Sequence, residues 1–197
     1  DMIAEGIPFL NKASLLSPDT KEAAVGIGNL LTGLGDIKGA FAYYEKALES
    51  LGFNVEIARL ALSKALELDA YEKAEMIAST LCEQMSPGIE DYTALLTAKL
   101  EGQSPILSEE IQPSLEEIEE YFRIIEQALE LEENNFEIRL VKAELLAYTG
   151  KYVDAREIIT GLIEAGIEDN WKISGDLGVI SLRLGDFNTA VAALQDS

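Results

Sequence analysis

Residues Lys21 to Asn54 read KEAAVGIGNLLTGLGDIKGAFAYYEKALESLGFN. Apolar residues recur three and four positions apart on both sides of Gly35-Asp36, the spacing of two helices joined by one tight turn. Gly28 and Leu31 fall in the first helix; Ala40, Tyr44 and Ala47 fall in the second. Small residues allow two helices to approach closely while the larger ones fill the seam. The stretch therefore predicts an antiparallel hairpin whose helices cross near Gly28 and Ala40. One hairpin cannot bury its own apolar face, so neighbours must share a continuous core.

Folding the chain at 34 residues brings further stretches into step. Gly150-Lys151 and Gly185-Asp186 each follow one apolar helical run and precede another, as Gly35-Asp36 does. Val55 to Gly88 keeps Leu62, Asp69, Tyr71, Ala74 and Ala78 at the same offsets, although Leu68-Asp69-Ala70 lacks the turn glycine. Phe136 to Asp169 supplies Ala143, Leu146, Gly150, Tyr152, Ala155, Ile159 and Leu162. A last stretch opening at Trp171 supplies Gly178, Gly185, Phe187, Ala190 and Leu194. Leu10, Ala13 and Pro18 fit the second half of a preceding unit.

This pattern resembles the tetratricopeptide repeat family over nearly the whole chain. The resemblance implies an all-α, right-handed superhelix of helical hairpins that binds a protein or peptide. The units are expected at 1–20 (partial), 21–54, 55–88, 89–135, 136–169 and 171–197 (partial), forming one domain over 1–197. Helices are expected near 21–34, 37–50, 55–68, 71–85, 89–101, 114–131, 136–149, 152–165, 170–184 and 187–195. Of the five prolines, four lie between helices, and Pro8 should kink or shift a short first helix. No segment alternates with period two for long enough to propose a strand.

The third unit is 13 residues longer than the period, the excess lying near 102–113 in EGQSPILSEEIQPS. Ser104 before Pro105 could cap a single helical turn, and Ser114 with Glu117 forms a capping box that restarts a helix. Glu101 to Asn135 holds eleven glutamates against Arg123 alone, so this segment carries nearly half of the net charge of −21. Such a run reads first as a solvated helix face and second as an acidic docking surface, centred on Glu116, Glu117, Glu119 and Glu120, for a Lys/Arg-rich partner. Calcium fits poorly, because the spacing of a calcium loop is absent.

Composition removes several other activities. Fifteen basic residues against 36 acidic ones give a pI near 4.2, which disfavours nucleic-acid and anionic-membrane binding. No apolar run approaches the length of a membrane span, and no signal peptide is visible, so the sequence reads as soluble with the cytoplasm slightly favoured. Both ends fall inside repeats, as in a piece of a longer chain. Cys82 is the single cysteine and reads as a buried structural thiol.

The absence of histidine removes the common nucleophile triads and the commonest metal ligand. The glycines of Gly26-Ile-Gly28 and Gly33-Leu-Gly35 lie in or at the end of a helix with no preceding strand, which fits close packing rather than a nucleotide loop. Paired carboxylates such as Glu116 and Glu120 have nothing to desolvate them. No catalytic residue, cofactor or metal is therefore expected, and the chain reads as a non-enzyme.

In repeats of the resembling family the first helix of each unit lines a concave surface. Carried onto this sequence, the lining positions are Glu22, Val25, Asn29 and Thr32; Arg59, Ser63 and Leu66; Thr93, Thr97 and Leu100; Leu140, Glu144 and Tyr148; and Lys172, Val179 and Arg183. The mixture suits a partner's extended peptide or helix. Family members that clamp a terminal carboxylate use Lys, Asn and Arg. Here Asn29 matches while Val25, Leu60, Glu90 and Ala94 occupy the other places, so no clamp is expected.

Trp171 reads as junction packing, Tyr44 as seam and Tyr43 as spread over the convex surface. The rival to a peptide-binding scaffold is self-assembly through terminal half-units carrying Ile3, Ile7, Leu10, Val191 and Leu194, giving a homo-oligomer. A third reading is an accessory segment of a larger enzyme or complex.

Overall fold

The computed structural model describes residues 19–103, 105, 112–167 and 171–195. Among them are ten helices and no strand. They are α1 Lys21–Gly33, α2 Ile37–Leu51, α3 Val55–Glu67, α4 Tyr71–Cys82, α5 Ile89–Lys99, α6 Leu115–Leu131, α7 Phe136–Tyr148, α8 Tyr152–Glu164, α9 Trp171–Leu184 and α10 Phe187–Gln195. The fold is an all-α helical solenoid. The readings on Pro8, Ser104, Ile3, Ile7, Leu10, Ala13 and Pro18 lie outside the described residues. The chain divides into two compact units, Asp1–Glu101 and Gly102–Ser197, and the division falls inside the long third repeat.

The turns are built by one device. The Asp36 amide donates to the Leu31 carbonyl at 3.0 Å and the Gly35 amide to that of Thr32 at 2.9 Å, closing a Schellman motif. The same two bonds recur at Gly150-Lys151, Gly166-Ile167 and Gly185-Asp186. The pivot residue must take positive φ, and Gly35, Gly150 and Gly185 do so at 79°, 80° and 76°. The turn without glycine is no exception: Asp69 takes φ 54°, and the Ala70 amide still reaches the Ala65 carbonyl at 2.9 Å. Aspartate tolerates the left-handed region better than most residues. Its carboxylate also accepts from the Tyr71 hydroxyl at 2.9 Å.

Several helix starts carry side-chain caps, whereas Ala70 and Lys151, before α4 and α8, make none. Asn54 accepts from the Glu56 and Ile57 amides, and Asn135 from the Ile138 amide. Ser114 and Glu117 form the expected reciprocal capping box at the start of α6.

In the first unit, α1 packs on α2, α2 on α3, α3 on α4 and α4 on α5. The contact layers hold fully buried alanines, including Ala40, Ala47, Ala61 and Ala74, beside Tyr44 and Ile57. Gly28 lies across from the ring of Tyr44, and a Cβ there would overlap that ring. Tyr43 is 3% exposed, so it is a core residue and not a surface one. Burial, with Asp19 nearby, raises its phenol above the ordinary range. In the second unit, Leu140, Ala143, Leu146, Ala155, Ile159, Leu162, Ile173 and Ile180 form one cluster joining α7, α8 and α9. Gly178 of α9 receives Leu194 of α10 as Gly28 receives Tyr44.

Two glycines two residues apart in α1 should respond oppositely to the same substitution. Gly26 faces open space, so Gly26→Ala should stabilise by roughly 0.5–1 kcal/mol through lost backbone freedom in the unfolded chain. Gly28→Ala should destabilise by roughly 1–3 kcal/mol through overpacking against Tyr44. Thermal or denaturant unfolding of the two variants checks both signs.

Candidate functional site

In the first unit, the side chains carried over from the repeat pattern divide between solvent and internal bonds. Glu22, Asn29 and Ser63 are exposed, Val25 and Leu66 are half-buried, and Leu100 is buried rather than surface-lining. Asn29 Oδ1 accepts the Tyr44 hydroxyl at 3.0 Å, so it anchors the seam from outside. Thr32, Thr93 and Thr97 donate their hydroxyls to carbonyls four residues back, at Gly28, Ile89 and Thr93. Those hydroxyls are held within their own helices.

Arg59 is tied down most firmly. Its Nε and one terminal nitrogen donate to Asp91 at 2.9 and 2.7 Å, and the other terminal nitrogen lies 3.3 Å from Glu90. Asp91 is 1% exposed and also accepts the Gly88 amide at 2.8 Å, capping α5. The bond to Asp91 is the main cause that raises the Arg59 guanidinium further above its ordinary value. Arg59 therefore joins α3 to α5, and its structural role outweighs its availability to a ligand.

Beside it lies an open cavity of about 670 Å³ lined by Lys21, Phe53, Asn54, Val55, Glu56, Arg59 and Leu60. Phe53 is 45% and Val55 39% exposed, while Lys21 and Glu56 form an ion pair across the mouth. The helix-ending Gly52, at φ 80°, turns Phe53 outward. Of this set only Arg59 was expected at a binding surface from the repeat pattern. The available signal was an aromatic residue in an inter-repeat loop, where no core position calls for one.

In the second unit, Tyr148 and Val179 are half-buried and Arg183 is exposed, but Leu140 and Glu144 are 5% and 1% exposed and belong to the interior. The reason is the approach of α9: Lys172 Nζ stands 2.7 Å from Glu144 Oε1, and Asp176 is fully buried beside them. Desolvation first, then the charge and hydrogen bond of Glu144, push Asp176 up to about 8, with Lys172 opposing. Trp171, expected as junction packing, is 69% exposed.

The acidic helix α6 carries a shallow recess of about 330 Å³ lined by Glu116, Glu119, Glu120 and Arg123. Glu117 is engaged in the capping box, so the surface acids reduce to the other three. Glu116 and Glu117 also lie where the helix N-terminus favours negative charge. The 102–113 insertion lies largely outside the described residues. Cys82 is half-buried rather than fully buried, and desolvation is the first cause that pushes its thiol up to about 12. It is thus protonated and a poor nucleophile near neutrality. Among the described residues no group of three or more acids and cysteines is placed to hold a metal ion, and no helix is long and apolar enough to cross a membrane.

Residues 22–50 match the family model of the tetratricopeptide repeat. The structure is similar to that of YrrB, described as a tetratricopeptide protein with an unusual peptide-binding site, at 18% identity and TM-score 0.67 over 100% of this chain and 90% of that one. It is similar to MamA at 16% identity and TM-score 0.70, covering 88% and 87%. A thermophilic tetratricopeptide protein of Thermus thermophilus matches at 18% identity and TM-score 0.60, covering 88% of each. At these identities the likeness is one of fold. No protein in the curated sequence comparison matches the chain.

Removing the Arg59 head group would strand a buried carboxylate. Arg59→Ala should cost on the order of 2–3 kcal/mol, less than a wholly buried pair because the Arg59 side chain is 37% exposed. Ser63→Ala, at an exposed position of the same helix, should stay within about 0.5 kcal/mol of the parent. Urea unfolding of both variants measures the contrast.

Proposed function

We propose that this tetratricopeptide-type helical solenoid is a non-catalytic scaffold that holds a peptide or helix of a partner protein. The observation that carries this reading is the open cavity at Phe53, Val55 and Leu60, where apolar surface stands beside the Lys21, Glu56 and Arg59 charges. Apolar area supplies affinity, and a few fixed polar groups set register and orientation. The cavity lies where α1 meets the first turns of α3, so successive first helices furnish its walls. The peptide-binding description of YrrB belongs to that protein and supports the reading only through shared fold. Asn29, Glu22 and Ser63 extend the exposed first-helix surface beyond the cavity.

Affinity capture with the intact protein, followed by titration of the captured partner, tests this reading. A Phe53→Ala/Val55→Ala double variant should weaken binding at least tenfold while both proteins fold alike. Equal binding by parent and variant would remove the cavity from the account.

Self-assembly is a second reading, favoured by Phe187, Val191 and Leu194 on α10, which are 67%, 56% and 45% exposed. Three large apolar side chains on the last helix resemble the face on which a further hairpin would stack. Solution mass across a hundredfold range of concentration decides it, a constant monomer mass excluding the assembler. A basic partner on α6 would instead bind less tightly as salt rises, and Glu116→Gln/Glu119→Gln/Glu120→Gln would weaken both the binding and that salt dependence. Binding indifferent to both treatments would leave the acids as a solubilising face.

A further inference from the structure

The α7–α9 seam buries more acid than its surroundings neutralise. Glu144 is 1% and Asp176 0% exposed, and apart from the Lys172 ammonium at 2.7 Å from Glu144 Oε1 none of their four oxygens has a donor. Two ionised carboxylates offer only acceptors to one another. One proton between them converts the contact into a donor–acceptor pair, and Lys172 then balances the remaining charge. Among the described residues no other charged side chain of this unit is buried. Glu144 and Lys172 are the charged groups that act most on Asp176; α8 carries Tyr152 and Arg156, half-buried, and Asp154, Glu157 and Glu164, exposed, and α10 carries no ionisable side chain.

We propose that Glu144 and Asp176 form a proton-operated latch that holds the last hairpin, α9–α10, against α7, and that loss of the shared proton loosens the hairpin. Burial and the neighbouring Glu144 raise the proton affinity of Asp176, to about 8 from an ordinary 3.8. In the released hairpin Asp176 returns to water and ionises above about pH 4. The closed form therefore binds one more proton than the open form between about pH 4 and 8. Its advantage is complete below that window, declines as pH rises through it and changes no further above it. An isolated acid–lysine pair would show the opposite trend, gaining stability as the acid ionises.

Hydrogen exchange on the full chain, corrected for the intrinsic pH dependence of amide chemistry, reads the latch directly. Protection across 171–195 should fall roughly tenfold per pH unit between pH 6 and 8 relative to that across α2–α4, an internal reference in the other unit. Asp176→Asn, which keeps the shape and removes the ionisation, should flatten that dependence and leave protection high at pH 8. Glu144→Gln should reduce the slope, and fluorescence of Trp171, the single tryptophan, which opens α9, should follow the same pH course in the parent. A parent whose α9–α10 protection tracks the reference at every pH overturns the proposal, as does an Asp176→Asn protein that keeps the full slope.

Discussion

At Gly28 the Tyr44 ring occupies the space that any Cβ would need, and at Gly178 Leu194 does the same. Both contacts are between the two helices of one hairpin, and both bring backbone to within side-chain thickness of a large residue. Every further layer depends on that approach. With the hairpin closed, fully buried alanines such as Ala61 and Ala74 let the next helix come as near. Each hairpin thereby offers its neighbour the apolar face it cannot cover alone. The Schellman turns make this repeatable, because a pivot at positive φ reverses the chain over the same few atoms each time.

The same closeness governs charge. Where a first helix of one repeat meets that of the next, some acids are desolvated while others, such as Glu56 and Glu90, stay in water. Asp91 is compensated there by the two-pronged hydrogen bond from Arg59 and by the Gly88 amide, so it is a cap and a brace at once. Asp176 and Glu144 have Lys172 and, between them, room for a proton. The two seams thus satisfy their buried acids differently. A guanidinium with fixed paired donors gives a bond insensitive to pH near neutrality, whereas a shared proton does not.

The helices and their turns were legible from the 34-residue step and from Gly35, Gly150 and Gly185, since a positive-φ pivot between two apolar runs admits few other structures. Asp69 shows how far that signal extends: the turn keeps its geometry after losing its glycine, because the two backbone bonds rather than the residue type define it. Side-chain placement was less legible. Tyr43 stands next to a seam residue and reads as outward on one helix considered alone, yet a neighbouring layer buries it. Glu144 occupies a position that in this repeat pattern faces outward, and only the arrival of Lys172 and Asp176 from α9 makes it interior. Phe53 lies in a loop that helical periodicity does not describe, so the cavity it lines was visible only once α1 and α3 were placed together.

The proposed scaffold would act through surface that its packing leaves open, and in the first unit the Phe53 cavity is the candidate. The most direct measurement is the hydrogen-exchange footprint of the captured partner on the full chain. The account predicts new protection centred on 53–60 and the first turn of α1. Protection that spares those residues and falls instead on α6 or α10 would contradict it.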